Sequence, residues 1–406
     1  MGNGVLRVYQ EEWFPFQNLP AALARFQAET GIRAELSWDS VGVGTIEHMF
    51  EQMLGSFSSD QPAYDLICCD EIILQDMARQ GRVVDLAPLM KRDGVSLGAV
   101  TEATRGAVMR DGAVLGLPCI NVSSMLLYRR DLFDRYGLDI PDSWEELKGV
   151  ATTLQDAVRR DEGREFYGFE TRGAPGGGHA VWTIGSFLGS HGARWLDGDK
   201  AVAGITDAHR AALATYLDIL WSACPPDQGG ISFVEMRRDF ASGRVGMIMD
   251  VGMEYAHVLA NVPELADKAG VAIVPAGPAG RAPNLYTPPW AIPIGSDMAE
   301  EAWALARFLT SDAQLIEDGE RSAAVEAASL PVLYSAAFDR AFRDDLLQTV
   351  RASRAVARLE RPFSGAGMAA NEIVGNTVHA ALQRHIEPEA ALQKIEADLR
   401  ILVAST

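Results

Sequence analysis

The chain has 406 residues, of which 48% are hydrophobic and 22% charged, and Lys+Arg 36 against Asp+Glu 55 give a formal net charge of -19. That length suits two or three domains, or two large lobes, with enough apolar material for sizeable cores. So acidic a surface repels phosphate backbones and anionic bilayers, and no window reaches the ~18 consecutive apolar residues of a membrane helix.

The N-terminus, MGNGVLRVYQ, has no basic region leading into a long apolar core, so no signal peptide is visible. This reads as a cytosolic protein or as an exported one after signal removal. Val5 to Tyr9 is expected to be a first strand, with EEWFPFQN as the following loop. Leu19 to Thr30 has helical spacing, with Gly31 as its C-terminal cap. Ile32, Ala34, Leu36 and Trp38 alternate with polar residues, the period of a half-buried strand. Ile46, Met49, Phe50, Met53, Leu54 and Phe57 mark one face of an amphipathic helix. Tyr64 to Cys69 is the next strand, ending at Asp70.

Strand, helix, strand, helix, strand is the pattern of parallel βαβ units. Ligands of open sheets bind beyond the carboxyl ends of the strands, here Gln10 to Phe14, Asp39 to Gly42 and Asp70-Glu71. Further along, the turn Asp111-Gly112 leads into an apolar run ending at Leu117-Pro118, and Met125 to Tyr128 is a strand. Ser143 and Glu146 form a capping box for a helix to about Arg160. Gly173 to Gly178 is Gly-rich but lacks the Lys-Ser/Thr of a phosphate loop, so it reads as a plain loop. Ala180 to Leu188 and Ala208 to Ser222 are apolar helices. Ser232 and Glu235 cap a helix that Gly243 ends, and Val245 to Met249 is a buried strand delivering Asp250 to Met253. Val271 to Val274 is a strand, Thr287 to Ile292 a crossing segment, Ala299 to Leu309 a helix, and the chain from Ser335 onward is mostly helical.

The four cysteines, Cys68, Cys69, Cys119 and Cys224, show no CxxC and no metal spacing. They read as small buried thiols, with one disulfide left open. No metal or cofactor is expected.

The order of elements from Asp111 to Leu147 resembles the hinge crossing of carbohydrate-binding proteins that serve ABC importers, the maltose-binding-protein-like extracellular solute-binding proteins. Tyr64 to Asp70 with Gly81 to Leu86, Phe240 to Met247, Val274 to Pro278, and Glu300 to Ser311 are similar to that family in the same order. The likeness runs from about residue 5 to 331. It implies a two-lobed α/β periplasmic-binding-protein fold, with mixed or parallel sheets flanked by helices and a ligand cleft between the lobes. Lobe one is expected at 1–118 and 288–332, and lobe two at 119–287 and 333–406. Hinge crossings are expected near 117–121, 286–291 and 330–335. Two departures fall at the expected cleft wall: Pro288-Pro289-Trp290 where the family often has Gly-Gly, and Met253 where it often has Trp.

A sugar needs carboxylates and amides for its hydroxyls and aromatic planes for its C–H faces. Glu11, Glu12 and Trp13 follow the first strand, and Asp70 and Glu71 the third. Asn121 lies beyond the crossing, Asp250 at a strand end, and Trp290 on the return crossing. By family position, His179 and Trp182 are lobe-two wall residues and Arg361 comes from the late segment RPFSG. Against these stand plainer readings: helix caps or solvated loops for the acids, core packing for Trp182, a lobe seal for Trp13 and an exposed loop for His179.

The expectation is therefore a monomeric, non-enzymatic binder of a sugar, polyol or short oligosaccharide that closes on its ligand and delivers it to ABC permease subunits. Its place would be the periplasm, or the cell exterior by a lipid anchor. Two alternatives stay open. One is a carbohydrate-active enzyme whose carboxylates face each other at ~5–9 Å; no HExxH, GxSxG or Walker motif supports catalysis. The other is a binder of a polyamine or amino acid.

Overall fold

The structure, a computed structural model, describes residues 4–40, 46–58, 60–196, 204–361 and 366–405. Val41 and Gly42 of the second expected strand end lie outside the described residues. The chain forms two compact units, Met1–Val122 with Tyr286–Asp344, and Ser123–Leu285 with Asp345–Thr406. The helix Ala336–Ala341 buries Phe338 completely, against Gly319 of the helix Asp312–Arg321, where a Cβ would come within 2.6 Å of the ring.

The first unit is built on a five-stranded mixed sheet in the order Ala34–Ser40, Leu6–Glu12, Leu66–Cys68, Pro289–Ala291, Leu117–Pro118. The first three strands run parallel, with Val8 opposite both Leu36 and Leu66, and the last two pair antiparallel. The first strand continues to Glu12, so Glu11 and Glu12 belong to the ladder, and only Trp13 onward leaves it. Leu19–Thr30 is a helix, ended by Gly31 at φ 75°, which donates to the Gln27 carbonyl. The Ile46–Ser58 helix buries Phe50, Met53 and Phe57, the stripe its spacing predicts. Asp111 and Gly112 both take positive φ, as a two-residue turn joining Met109–Arg110 to Ala113–Val114 requires.

The second unit is built on a five-stranded sheet, four strands in the order Ala269–Ile273, Val122–Arg129, Met247–Val251, Glu170–Thr171, with Leu285–Tyr286 pairing on Val122–Arg129 off that path. Its central strands are buried almost throughout, because helices cover both faces. The helix Trp144–Glu162 brings Trp144 onto Phe187 of the helix Ala180–Ser190, ring centres 4.0 Å apart. Ser143 caps that helix through the Glu146 N–H at 3.3 Å, while the Glu146 carboxylate accepts from the Asp142 N–H at 2.7 Å, one residue earlier than a capping box has it. Ser232 and Glu235 do form the full box, which fixes the start of the helix Phe233–Ala241. The strand Met247–Val251 is displaced two residues from the expected Val245 to Met249. Asp250 therefore lies inside it, and Met253 in the first turn of the helix Gly252–Asn261.

All four cysteines are free and buried. Among the described residues no helix is long and apolar enough to cross a membrane, and no group of three His, Cys, Asp or Glu could hold a metal ion.

Candidate functional site

In the second unit, five expected residues converge with four that were not expected. Asp250 is fully buried in a central strand, where an isolated carboxylate would be untenable. Arg172, just past the edge strand Glu170–Thr171, neutralises it. Its Nε donates to Asp250 Oδ2 at 2.6 Å and its Nη2 to Oδ1 at 2.5 Å. Its Nη1 donates to the Gly178 carbonyl at 3.2 Å, which ties down the Gly-rich loop. One helical turn along from Asp250, the buried Glu254 accepts two bonds from Arg237, Nε at 2.6 Å and Nη2 at 2.8 Å. Burial pushes the Glu254 carboxyl up, and the Arg237 bonds pull it back toward the charged form. Bidentate forks of this kind are what a buried carboxylate needs.

The aromatic rings of this cluster are threaded between the guanidinium groups. Arg172 Cζ lies 5.7 Å from the Trp182 ring centre and 5.3 Å from that of Phe233. Arg361 lies 5.9 Å from Trp182, and Arg237 5.9 Å from Phe233. His179 stacks on Phe233 at 6.4 Å. His179 is 9% exposed, so the loop histidine is not the solvent-facing residue its glycine neighbours suggest. Met253 is buried in the first turn of its helix. Phe233 and Arg237 are half-buried, so the cluster reaches the surface.

Arg172, Phe233, Arg237 and Glu254 were missed. A local signal existed for two of them: Phe233 and Arg237 stand four apart behind the Ser232 cap and share one face of their helix. Nothing local marks Arg172, whose partner is 78 residues away.

In the first unit the expected residues take structural positions. Asp70 caps the helix Glu71–Arg79, accepting from the Ile72 N–H at 2.7 Å. Asn121 is fully buried; its Nδ2 donates to Thr104 Oγ1 at 2.5 Å, and its Oδ1 accepts from Thr287 Oγ1 at 2.5 Å. The Thr287 N–H points to Glu71 Oε2 at 3.4 Å. Trp290 is 1% exposed and meets Phe16 edge-on at 6.2 Å, lining a core cavity with Leu19, Leu309 and Leu315. Glu12 is exposed at the strand end, and the half-buried Trp13 lies 6.0 Å from Phe16 and 5.8 Å from Tyr286.

The profile of the family described as bacterial extracellular solute-binding protein matches residues 15–316. The chain belongs to that family. The mannitol-binding protein of Pseudomonas aeruginosa is 30% identical over 260 residues, 63% of this chain and 55% of that protein, so the match spans about half the relative's length. Among solved structures, a solute-binding protein of Thermotoga lettingae bound with alpha-D-tagatose superposes with a TM-score of 0.86 at 20% identity, covering 99% of this chain and 100% of that one. A second, from Agrobacterium radiobacter in complex with ribitol, gives 0.82 at 22% identity, over 98% of this chain and 99% of that one. These likenesses establish the two-unit α/β fold of solute-binding proteins, with mixed sheets flanked by helices.

Proposed function

We propose that this solute-binding protein captures a sugar, polyol or short oligosaccharide and delivers it to the membrane subunits of an ABC importer. The observation that carries the reading is the second-unit cluster, where two Arg–carboxylate forks and two aromatic rings stand together and reach the surface at Phe233 and Arg237. Hydroxyl-rich ligands need such dense, fixed donors and acceptors. The mannitol-, ribitol- and tagatose-binding relatives support the same ligand class.

The cluster argues against the polyamine alternative. Asp250 and Glu254 already hold guanidinium groups, and an ammonium ligand would have to displace them. On this reading the protein acts by binding alone. Delivery proceeds by hinge closure, with ligand favouring the closed state through differential affinity. The protein works as a monomer in the periplasm or, lipid-anchored, outside the cell.

Thermal unfolding against a panel of sugars, alditols, oligosaccharides, amino acids and polyamines tests this. A carbohydrate at ~100 times its Kd adds roughly 2.7 kcal/mol and raises Tm by a few degrees. A shift with amino acids or polyamines alone overturns the proposal.

A further inference from the structure

We infer that the second-unit cluster selects an uncharged, open-chain polyol over a pyranose ring, an inference that rests on the carbohydrate-binding reading. A pyranose presents a broad C–H face, and recognising it calls for a flat aromatic surface left open to the ligand. The two rings of the cluster are otherwise engaged. Trp182 is flanked by Arg172 and Arg361, and Phe233 by Arg172 and Arg237, each guanidinium within 6 Å of a ring centre, with His179 stacked on Phe233 as well. Cations at these distances hold the π-faces by cation–π attraction. In the first unit, Trp290 is buried in the core, and Trp13 packs against both Phe16 and Tyr286.

What the cluster does offer is polar and directional. A guanidinium carries five N–H groups. Arg237 commits its Nε and one Nη2 hydrogen to Glu254, which leaves the Nη1 edge of its fork uncommitted to that carboxylate, and its side chain is 21% exposed. Arg172 sits beside it with its fork closed on Asp250. An open chain can rotate each C–C bond to bring successive hydroxyls to such an edge. A ring fixes its hydroxyls around its rim and leaves an apolar face uncovered. Each Arg–carboxylate pair also sums to zero charge, which suits a neutral ligand.

The test is calorimetric titration of the wild-type chain with three compounds of one carbon skeleton: the hexitol, the aldohexose and the hexonate. The hexitol is expected to bind at least tenfold more tightly than either of the others. Equal or tighter binding of the aldohexose overturns the open-chain inference while leaving carbohydrate binding intact. Tighter binding of the hexonate overturns neutrality in the same way. Silence of all three, and of every oligosaccharide, removes the carbohydrate reading itself. Arg237→Lys keeps a cation opposite Glu254 but removes the fork, and is expected to lower hexitol affinity at least fivefold. Unchanged affinity overturns the assignment of the ligand to this cluster.

Discussion

Arg172 grips Asp250 through both guanidinium edge nitrogens, at 2.6 and 2.5 Å, and so makes an acid tolerable in the middle of a buried strand. Asp250 also accepts from the Val251 N–H at 2.7 Å, so its carboxylate is fixed from two directions. This pair holds the end of the second unit's sheet, the Gly-rich loop and the aromatic cluster in one arrangement.

Replacing Asp250 by Asn leaves the Arg172 charge buried without its counter-ion. The loss should be about 3–5 kcal/mol, the usual cost of breaking a buried pair. Urea unfolding of Asp250→Asn, Arg172→Met and the double variant measures it. The double variant should recover part of the loss, and strict additivity would mean the pair contributes no coupling.

Glu170 should give the protein's stability a measurable pH dependence between 4.5 and about 8. It is fully buried, both its carboxylate oxygens lack a hydrogen-bond partner among the described residues, and burial pushes its carboxyl up to about 8 from an ordinary 4.5. Asp239 and Asp227 add to the rise, Arg244 and Arg238 oppose it, and the Cys224 thiol lies close enough to feel its charge. The folded state therefore holds a proton that the unfolded chain has released between pH 4.5 and 8. The stability this contributes is present in full below 4.5 and falls by about 1.4 kcal/mol per pH unit up to about 8. Glu170→Gln removes the proton linkage. Its stability relative to wild type should climb across that window and level off above it. Parallel stability–pH curves for the two proteins would contradict the assignment.

Trp290 should be a stability residue. Truncation to Ala empties a core position between Phe16, Leu19 and Leu315, at a cost of about 3–5 kcal/mol. The readout is the denaturation midpoint, with ligand affinity measured on the folded fraction. A variant with wild-type stability and lost binding would return Trp290 to the ligand.

The helix Ile46–Ser58, the Gly31 and Ser143 caps and the Ser232–Glu235 box were legible because each is encoded within one or two turns of chain. So was the order of elements that carries the family resemblance. The polar detail of the second-unit cluster was less legible, for two reasons. A two-residue shift of the strand Met247–Val251 moved Asp250 from a strand end into the ladder, and apolar periodicity cannot fix strand ends that closely. Polar pairing acts over long separations: Arg172 and Asp250, or Asn121 and Thr287, meet only once the sheets have formed. Trp290 was expected to face a ligand because it stands on the return crossing that the family resemblance implies. Instead the strand Pro289–Ala291 pairs on both sides, and its tryptophan fills the core.

The cysteines give a simple check. Burial raises the Cys68, Cys69 and Cys224 thiols well above their ordinary range, and all four are free. A thiol reagent should find almost none in the native protein and four after denaturation without reductant. Two after denaturation would reveal a disulfide.

The most direct test of the central claim is calorimetric titration of the purified chain with neutral carbohydrates, followed by recovery of the ligand. The account predicts saturable one-to-one binding, weakened in Asp250→Asn, with the ligand returned chemically unchanged. Saturation followed by cleavage or conversion of the ligand, or a well-folded protein that binds no carbohydrate, would contradict it.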